Sequence, residues 1–277
     1  YQPAKPARRA VEEHDAYRTQ VRRFFEKEIE PNVKRWEKEG AWPAELFLKA
    51  GQAGILCAGI PEKYGGGGGD FLHHAILYEE HGYSVAGASL EAGLCTDTAA
   101  YVILNGGTEA QKQEWLPRFA RGEIISEVGV TEPHSGSDVA SLRTTAKRDG
   151  DDYVINGQKI WISNAPIANM LVVAAQTEPG SGAKGVGMFI VPFGTPGVSV
   201  GKPLEMMAKG SGTTGQIFLE NVRVPATNVL GGDIGKGMKD ALGTISTARL
   251  AMGARMLAAC ELAFKITVDF VKNREAF

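Results

Sequence analysis

The spacing of apolar residues changes period at Gly122. Before it they recur at helical intervals; after it they fall in short runs broken by glycine and proline, until Gly231-Gly232 returns the chain to helical spacing. A chain written this way folds as helices, then sheet, then helix, an α+β multidomain arrangement rather than alternating βαβ units. With 277 residues, 43% of them hydrophobic, it can bury a large core. The expected division is a helical domain over residues 1–123, a β-domain over 124–232 and one long helix within 233–277.

In the first domain Val21, Phe24, Phe25 and Ile29 form the apolar stripe of a helix over 11–29. Pro31 suits the first turn of the next helix, Gly40 ends it, and Trp42-Pro43 leads into a third reaching Ala50. The glycine run 65–69 lacks the Gly-Lys-Ser/Thr ending of a phosphate loop and reads as a flexible interhelical turn. Further helices are expected over 70–81 and 88–104. Thr108 and Gln111 make a capping box for another, which Pro117 should break.

In the second domain Asp149-Gly150 and Asn156-Gly157 are residue pairs of type I′ hairpin turns, the latter joining 152–155 to 158–163. Further strands over 170–176, 186–191, 198–200 and 216–219, with no helix between them, imply an antiparallel sandwich or barrel. The last helix, over 239–274, is alanine-rich and apolar on more than one face, so it needs several partners. The chain stops at Arg274-Glu275-Ala276-Phe277 without a second helix or a glycine cap, as a fragment would.

A formal charge of −2, from 30 basic and 32 acidic residues without blocks, gives no footprint for nucleic acid. Cys57, Cys95 and Cys260 match neither a disulfide framework nor a metal site, which implies a reducing, cytoplasmic setting. No apolar run approaches the roughly 20 residues that span a bilayer. His73, His74 and His81 fall on one surface helix without a carboxylate or cysteine cluster at ligand spacing, so no metal is expected there.

The loop Val130-Thr131-Glu132-Pro133-His134-Ser135-Gly136-Ser137-Asp138 combines hydroxyls with a glycine that admits backbone N–H groups to a ligand. It reads either as a pyrophosphate cradle or as an ordinary β-loop. His134, Ser137 and Asp138 lack the strand–turn–helix context of a hydrolase nucleophile. Glu132 and Asp138 are expected to be solvated. Trp161 and Ser163 alternate along a strand, so an indole and a hydroxyl face one side; this suits a planar heterocycle, and equally a core tryptophan beside an incidental serine.

These segments together resemble the acyl-CoA dehydrogenase family. The resemblance rests on Gly129-Val130-Thr131-Glu132-Pro133-x-x-Gly136-Ser137-Asp138 and Ile155-Asn156-Gly157-Gln158-Lys159-Ile160-Trp161-Ile162-Ser163-Asn164. Pro61-Glu62-x-Tyr64-Gly65-Gly66, Asn221-Val222-Arg223-Val224-Pro225 and Arg274-x-x-Phe277 follow in family order. It implies that the last helix begins a C-terminal four-helix bundle, in a homodimer or a tetramer built as a dimer of dimers. It implies FAD against the β-domain: Val128, Val130 and Thr131 along the isoalloxazine, Gly136 and Ser137 at the pyrophosphate or the acyl-CoA, Trp161 and Ile162 at the ring, and Ser163 near N5. Arg274 and Phe277 would meet the FAD of a neighbouring subunit. Ser246 and Arg249 would touch the CoA portion, and Leu90 and Leu94 the acyl tail.

The implied reaction is α,β-dehydrogenation of an acyl-CoA thioester: a carboxylate takes the α-proton, hydride goes to flavin N5, and an electron-transfer flavoprotein receives the electrons. One family position for the base is Ala248 here, and the other would lie beyond Phe277, so no catalytic base is assigned. The family's Arg and Asp-Thr pair are also replaced, within Met207-Ala208-Lys209-Gly210-Ser211-Gly212-Thr213-Thr214, where only Thr214 matches. A flavin oxidase or monooxygenase on the same fold, and a non-catalytic acyl-CoA or flavin binding protein, are the alternatives.

Overall fold

A computed structural model describes residues 12–40, 42–88, 94, 97–178, 180–205 and 214–275. Leu90, Cys95, Phe277 and the departure at 207–213 lie outside them.

Helix α1 (Glu12–Phe24) passes through a π turn into α2 (Val33–Glu39), which Gly40 closes at φ 68°. Helices α3 (Glu45–Gln52), α4 (Phe71–Tyr83), α5 (Asp97–Gly106) and α6 (Glu109–Ala120) complete the helical part. The capping box of α6 forms as the sequence predicts: Gln111 N–H donates to Thr108 Oγ1 at 3.2 Å, and Thr108 N–H to Gln111 Oε1 at 3.0 Å. Pro117 does not break α6, which runs on to Ala120. The glycine run lies in the interhelical turn that the sequence predicts, between Tyr64 and α4. The N–H groups of Gly67, Gly68 and Gly69 donate to the carbonyls of Cys57, Ile60 and Ala58 at 3.3, 2.8 and 2.9 Å, so the loop is fastened to the segment before it. Glycine is needed at 66, where a Cβ would fall on the Ile60 carbonyl.

The middle part is a curled sheet of seven strands: β1 (Ser126–Gly129), β2 (Thr145–Asp149), β3 (Asp152–Ile162), β4 (Met170–Gln176), β5 (Val186–Pro192), β6 (Val198–Val200) and β7 (Gly215–Pro225). The order is β1-β4-β2-β3-β7-β6, with β5 on β4. It is mixed rather than wholly antiparallel, because β1 runs parallel to β4. The β2–β3 hairpin turns at Gly150, φ 63°, as predicted. Asn156-Gly157 is no hairpin: β3 runs straight through it, since both its halves pair with the single long strand β7. The register shifts there, Gly157 takes φ 152°, and the Asn156 side chain accepts the Asn221 N–H at 2.8 Å. The pair makes a bulge that bends the strand. A Cβ on Gly157 would approach Thr144 Cα to 2.7 Å.

Strand β4 is buried along its whole length, as a strand covered on both faces must be. Met170, Val172 and Ala174 join the helical core; Leu171, Val173 and Ala175 join Phe189, Ile217 and Val222 inside the curl. The last helix, α7 (Lys236–Asn273), packs on α4 and α5. Gly82 of α4 lies under the Arg255 carbonyl, and Asn105 Nδ2 donates to Thr244 Oγ1 at 2.9 Å. Further along α7, Leu257, Phe264, Ile266, Phe270 and Val271 are exposed. Among the described residues no helix is long and apolar enough to cross a membrane.

Candidate functional site

Chain leaving β1 folds back on the end of β3. The Ile160 N–H donates to the Thr131 carbonyl at 3.0 Å, and Lys159 Nζ to the Val130 carbonyl at 3.2 Å. Beneath them Lys159 Nζ bonds Glu132 Oε1 at 2.7 Å, and Glu132 also accepts the N–H groups of Arg143 (2.8 Å) and Thr144 (3.0 Å). The Lys159 side chain is wholly buried and that of Glu132 2% exposed. Glu132 is therefore not solvated: it anchors the loop. Burial pulls the Lys159 ammonium down to about 8 although Glu132 opposes this. Burial also pushes Glu132 up, but hydrogen bonds from Lys159, Thr144 and Arg143 prevail and hold it below the usual carboxylate range. Period-2 alternation carried the signal, since Tyr153, Ile155 and Lys159 all occupy inward positions of β3.

Above this anchor, Val128, Val130 and Thr131 are half-buried, while Gly136, Ser137 and Asp138 are exposed. A Cβ at Gly136 would meet nothing within 4 Å, so nothing in the chain itself requires glycine there. His134 Nε2 lies 3.3 Å from the Ser141 carbonyl and 3.4 Å from Glu132 Oε2, and Asp138 accepts the Ser141 hydroxyl; Ser137 joins neither, so no triad forms.

Trp161 and Ser163 do not alternate on one strand face. The register slips between Lys159 and Ile162, Trp161 takes φ 61°, and β3 ends at Ile162. Ser163 is half-buried in the following turn, and Ile162 points into the sheet core. A bulky residue at positive φ is an outlier, and the Trp161 side chain it presents is 54% exposed. The bulge thus holds a large apolar ring outward at backbone cost, as functional sites do.

Ser246, Arg249 and Arg274 are exposed on α7 and at its end, and the Ser246 hydroxyl donates to the Leu242 carbonyl at 3.1 Å. Leu94 is buried in the helical core. Ala248 is half-buried and lines a cavity of about 140 Å³ between α4, α5 and α7, together with Asp70, His74, Tyr101 and Thr247. Sequence reading missed this cavity, although Thr98, Tyr101 and Asn105 share a face of α5. Burial would raise Asp70, but hydrogen bonds with His14 and His73 outweigh it and hold the carboxyl at about 2. His74 and His81 are 6% and 1% exposed, so α4 is no surface helix along that side.

The sequence pattern of the acyl-CoA dehydrogenase N-terminal domain matches residues 11–123, and that of the family's middle domain residues 128–222. The fold superimposes on the crystal structure of acyl-CoA dehydrogenase from Geobacillus kaustophilus with a TM-score of 0.91 at 38% identity, covering 98% of this chain and 71% of that one. The chain belongs to the acyl-CoA dehydrogenase family. Among relatives in it, the long-chain specific acyl-CoA dehydrogenase of Rattus norvegicus mitochondria is 38% identical over 270 residues, 96% of this chain and 62% of that protein. Acryloyl-CoA reductase (NADH) of Anaerotignum propionicum is 38% identical over 269 residues, 96% of this chain and 67% of that protein. The chain thus spans under two thirds of the length of the rat relative.

Proposed function

We propose that this chain carries the flavin shelf of an enzyme that dehydrogenates an acyl-CoA thioester to the 2-enoyl-CoA. The observation that carries this reading is the outward indole of Trp161, held at φ 61° beside the half-buried Val130, Thr131 and Ser163. Those residues fit FAD: an aromatic face for a planar ring, two hydroxyls to hydrogen-bond its edge, and an open glycine turn at Gly136 for phosphate. Bound there, the flavin would supply the hydride acceptor.

The Glu132–Lys159 pair would keep the loop in register with β3, so that the Thr131 and Ser163 hydroxyls stay fixed relative to Trp161. Ser246 and Arg249, exposed on one turn of α7, would face the CoA portion, and Arg274 the FAD of a neighbouring subunit in a homodimer or tetramer. The proposed domains are residues 1–123, 124–232 and 233–277, with the exposed apolar face of α7 covered by further helices. Electrons would leave to an electron-transfer flavoprotein. Ala248 offers no proton acceptor, and Asp70, held at about 2, is too weak a base for an α-proton. The base is therefore not assigned to either.

Ala248 also favours a second reading, a non-catalytic acyl-CoA or flavin binding protein. Anaerobic addition of acyl-CoAs of varied length to the flavin-loaded protein separates the two. Bleaching of the oxidised flavin band supports dehydrogenation, and its absence across the panel favours binding alone.

A further inference from the structure

Among the described residues outside the flavin shelf, one cluster combines donor chemistry with an unmet polar atom. Glu13 and His14 of α1 meet His73 of α4, and one donor atom from each lies within 4.8 Å of the others. The chain brings them together across 59 positions, which is why spacing along the sequence conceals them. The two imidazole centroids are 4.4 Å apart, tilted by 51°. Asp70 stands behind both, its Oδ1 3.0 Å from His14 Nε2 and 3.0 Å from His73 Nδ1.

A carboxylate that holds the far nitrogen of a histidine is the usual companion of a metal-ligating imidazole, since it fixes the ring and its tautomer. Here one carboxylate lies against two rings, and His73 Nδ1 also accepts the Asp70 N–H at 3.2 Å in the capping box of α4. The His14 side chain is 6% exposed, and its Nδ1 is buried without a hydrogen-bond partner. A buried nitrogen left unpaired is costly unless an ion or water completes it. With His14 Nε2–H donating to Asp70, Nδ1 carries the lone pair, which is the form a metal takes. Glu13 is exposed and leaves the cluster open to entry from solvent.

We propose that Glu13, His14 and His73 bind one divalent transition-metal ion of the zinc class, with Asp70 orienting the two histidines. Two imidazoles and a carboxylate suit Zn²⁺ or Co²⁺ with water in the fourth position, and not Mg²⁺ or Ca²⁺, which prefer all-oxygen sets. Bond lengths near 2.0–2.1 Å place tetrahedral donors about 3.3 Å apart, so the ion would draw the three side chains closer. The ion would clamp the start of α1 to the start of α4, a structural role separate from the flavin chemistry.

The test is titration of the chelator-treated full chain with Zn²⁺ by calorimetry and with Co²⁺ by visible absorption. Expected are one ion per chain, Co²⁺ ligand-field bands of tetrahedral intensity, and a Tm raised by roughly 5 °C or more at 100 times Kd. His73→Gln and the exposed Glu13→Gln should each weaken binding at least tenfold. Asp70→Asn keeps the N-cap of α4 but removes the charge, and should weaken it 10–100-fold. No saturable binding, or saturable binding indifferent to both His73→Gln and Glu13→Gln, would overturn the proposal.

Discussion

Replacing Lys159 by Met tests the anchor beneath the flavin shelf. Methionine matches the stem of lysine but leaves Glu132 buried with only the N–H groups of Arg143 and Thr144 and the edge of His134. Breaking a buried ion pair from one side costs about 3–5 kcal/mol. The variant also escapes the desolvation of Lys159 itself, so a loss near the lower end, about 3 kcal/mol, is expected, and with it a Tm lower by roughly 10 °C. The double variant Glu132→Gln/Lys159→Met should recover at least about 1 kcal/mol of that loss, measured by urea unfolding as a double-mutant cycle. The pH dependence carries a sign as well. Lys159 titrates at about 8 in the folded chain against its ordinary 10.5, so between those values the unfolded chain binds more protons. Wild-type stability therefore rises with pH through that window relative to Lys159→Met. Glu132 acts at the other end: its folded value is depressed, so its contribution is present above pH about 4.5 and lost as pH falls through the folded value. A Lys159→Met loss under about 1 kcal/mol, with no change in the alkaline slope, would refute the anchor.

Gln111 joins the helical part to the sheet's exit: its Nε2 donates to the Thr227 and Val229 carbonyls, both at 2.8 Å, and its Oε1 accepts the Gly231 N–H at 3.1 Å. Gln111→Leu should cost about 2–4 kcal/mol by chemical denaturation, since it strands several buried backbone groups. Gly82→Ala places a methyl on the Arg255 carbonyl and should cost about 1–3 kcal/mol while leaving far-UV circular dichroism unchanged. Trp161→Gly relieves the positive φ and removes an exposed ring, so it should leave stability unchanged within about 0.5 kcal/mol, or raise it, while abolishing flavin retention on gel filtration.

The helical part and the final helix were legible in the sequence because periodicity, the Thr108–Gln111 box and the Gly40 terminator act locally. Pro117 misled because its neighbours on α6, Trp115, Leu116 and Phe119, are buried and hold the turn despite the missing hydrogen bond. Asn156-Gly157 misled for the opposite reason: a turn pair yields when a partner strand as long as β7 spans it. At the site, the loop and the tryptophan strand were legible as motifs. The positive φ of Trp161, the burial of Glu132 against Lys159 and the approach of His14 to His73 were not, because each depends on a contact between segments distant in sequence.

FAD affinity shows whether the turn after β1 and the bulge of β3 form a flavin shelf. Kd would be measured by quenching of FAD fluorescence for the wild-type protein, Trp161→Leu and Ser163→Ala. Saturable binding at one FAD per chain is expected, weakened at least tenfold by Trp161→Leu and measurably by Ser163→Ala, with thermal stability unchanged in both. No saturable binding by the wild type, or equal affinity in all three proteins, would contradict it.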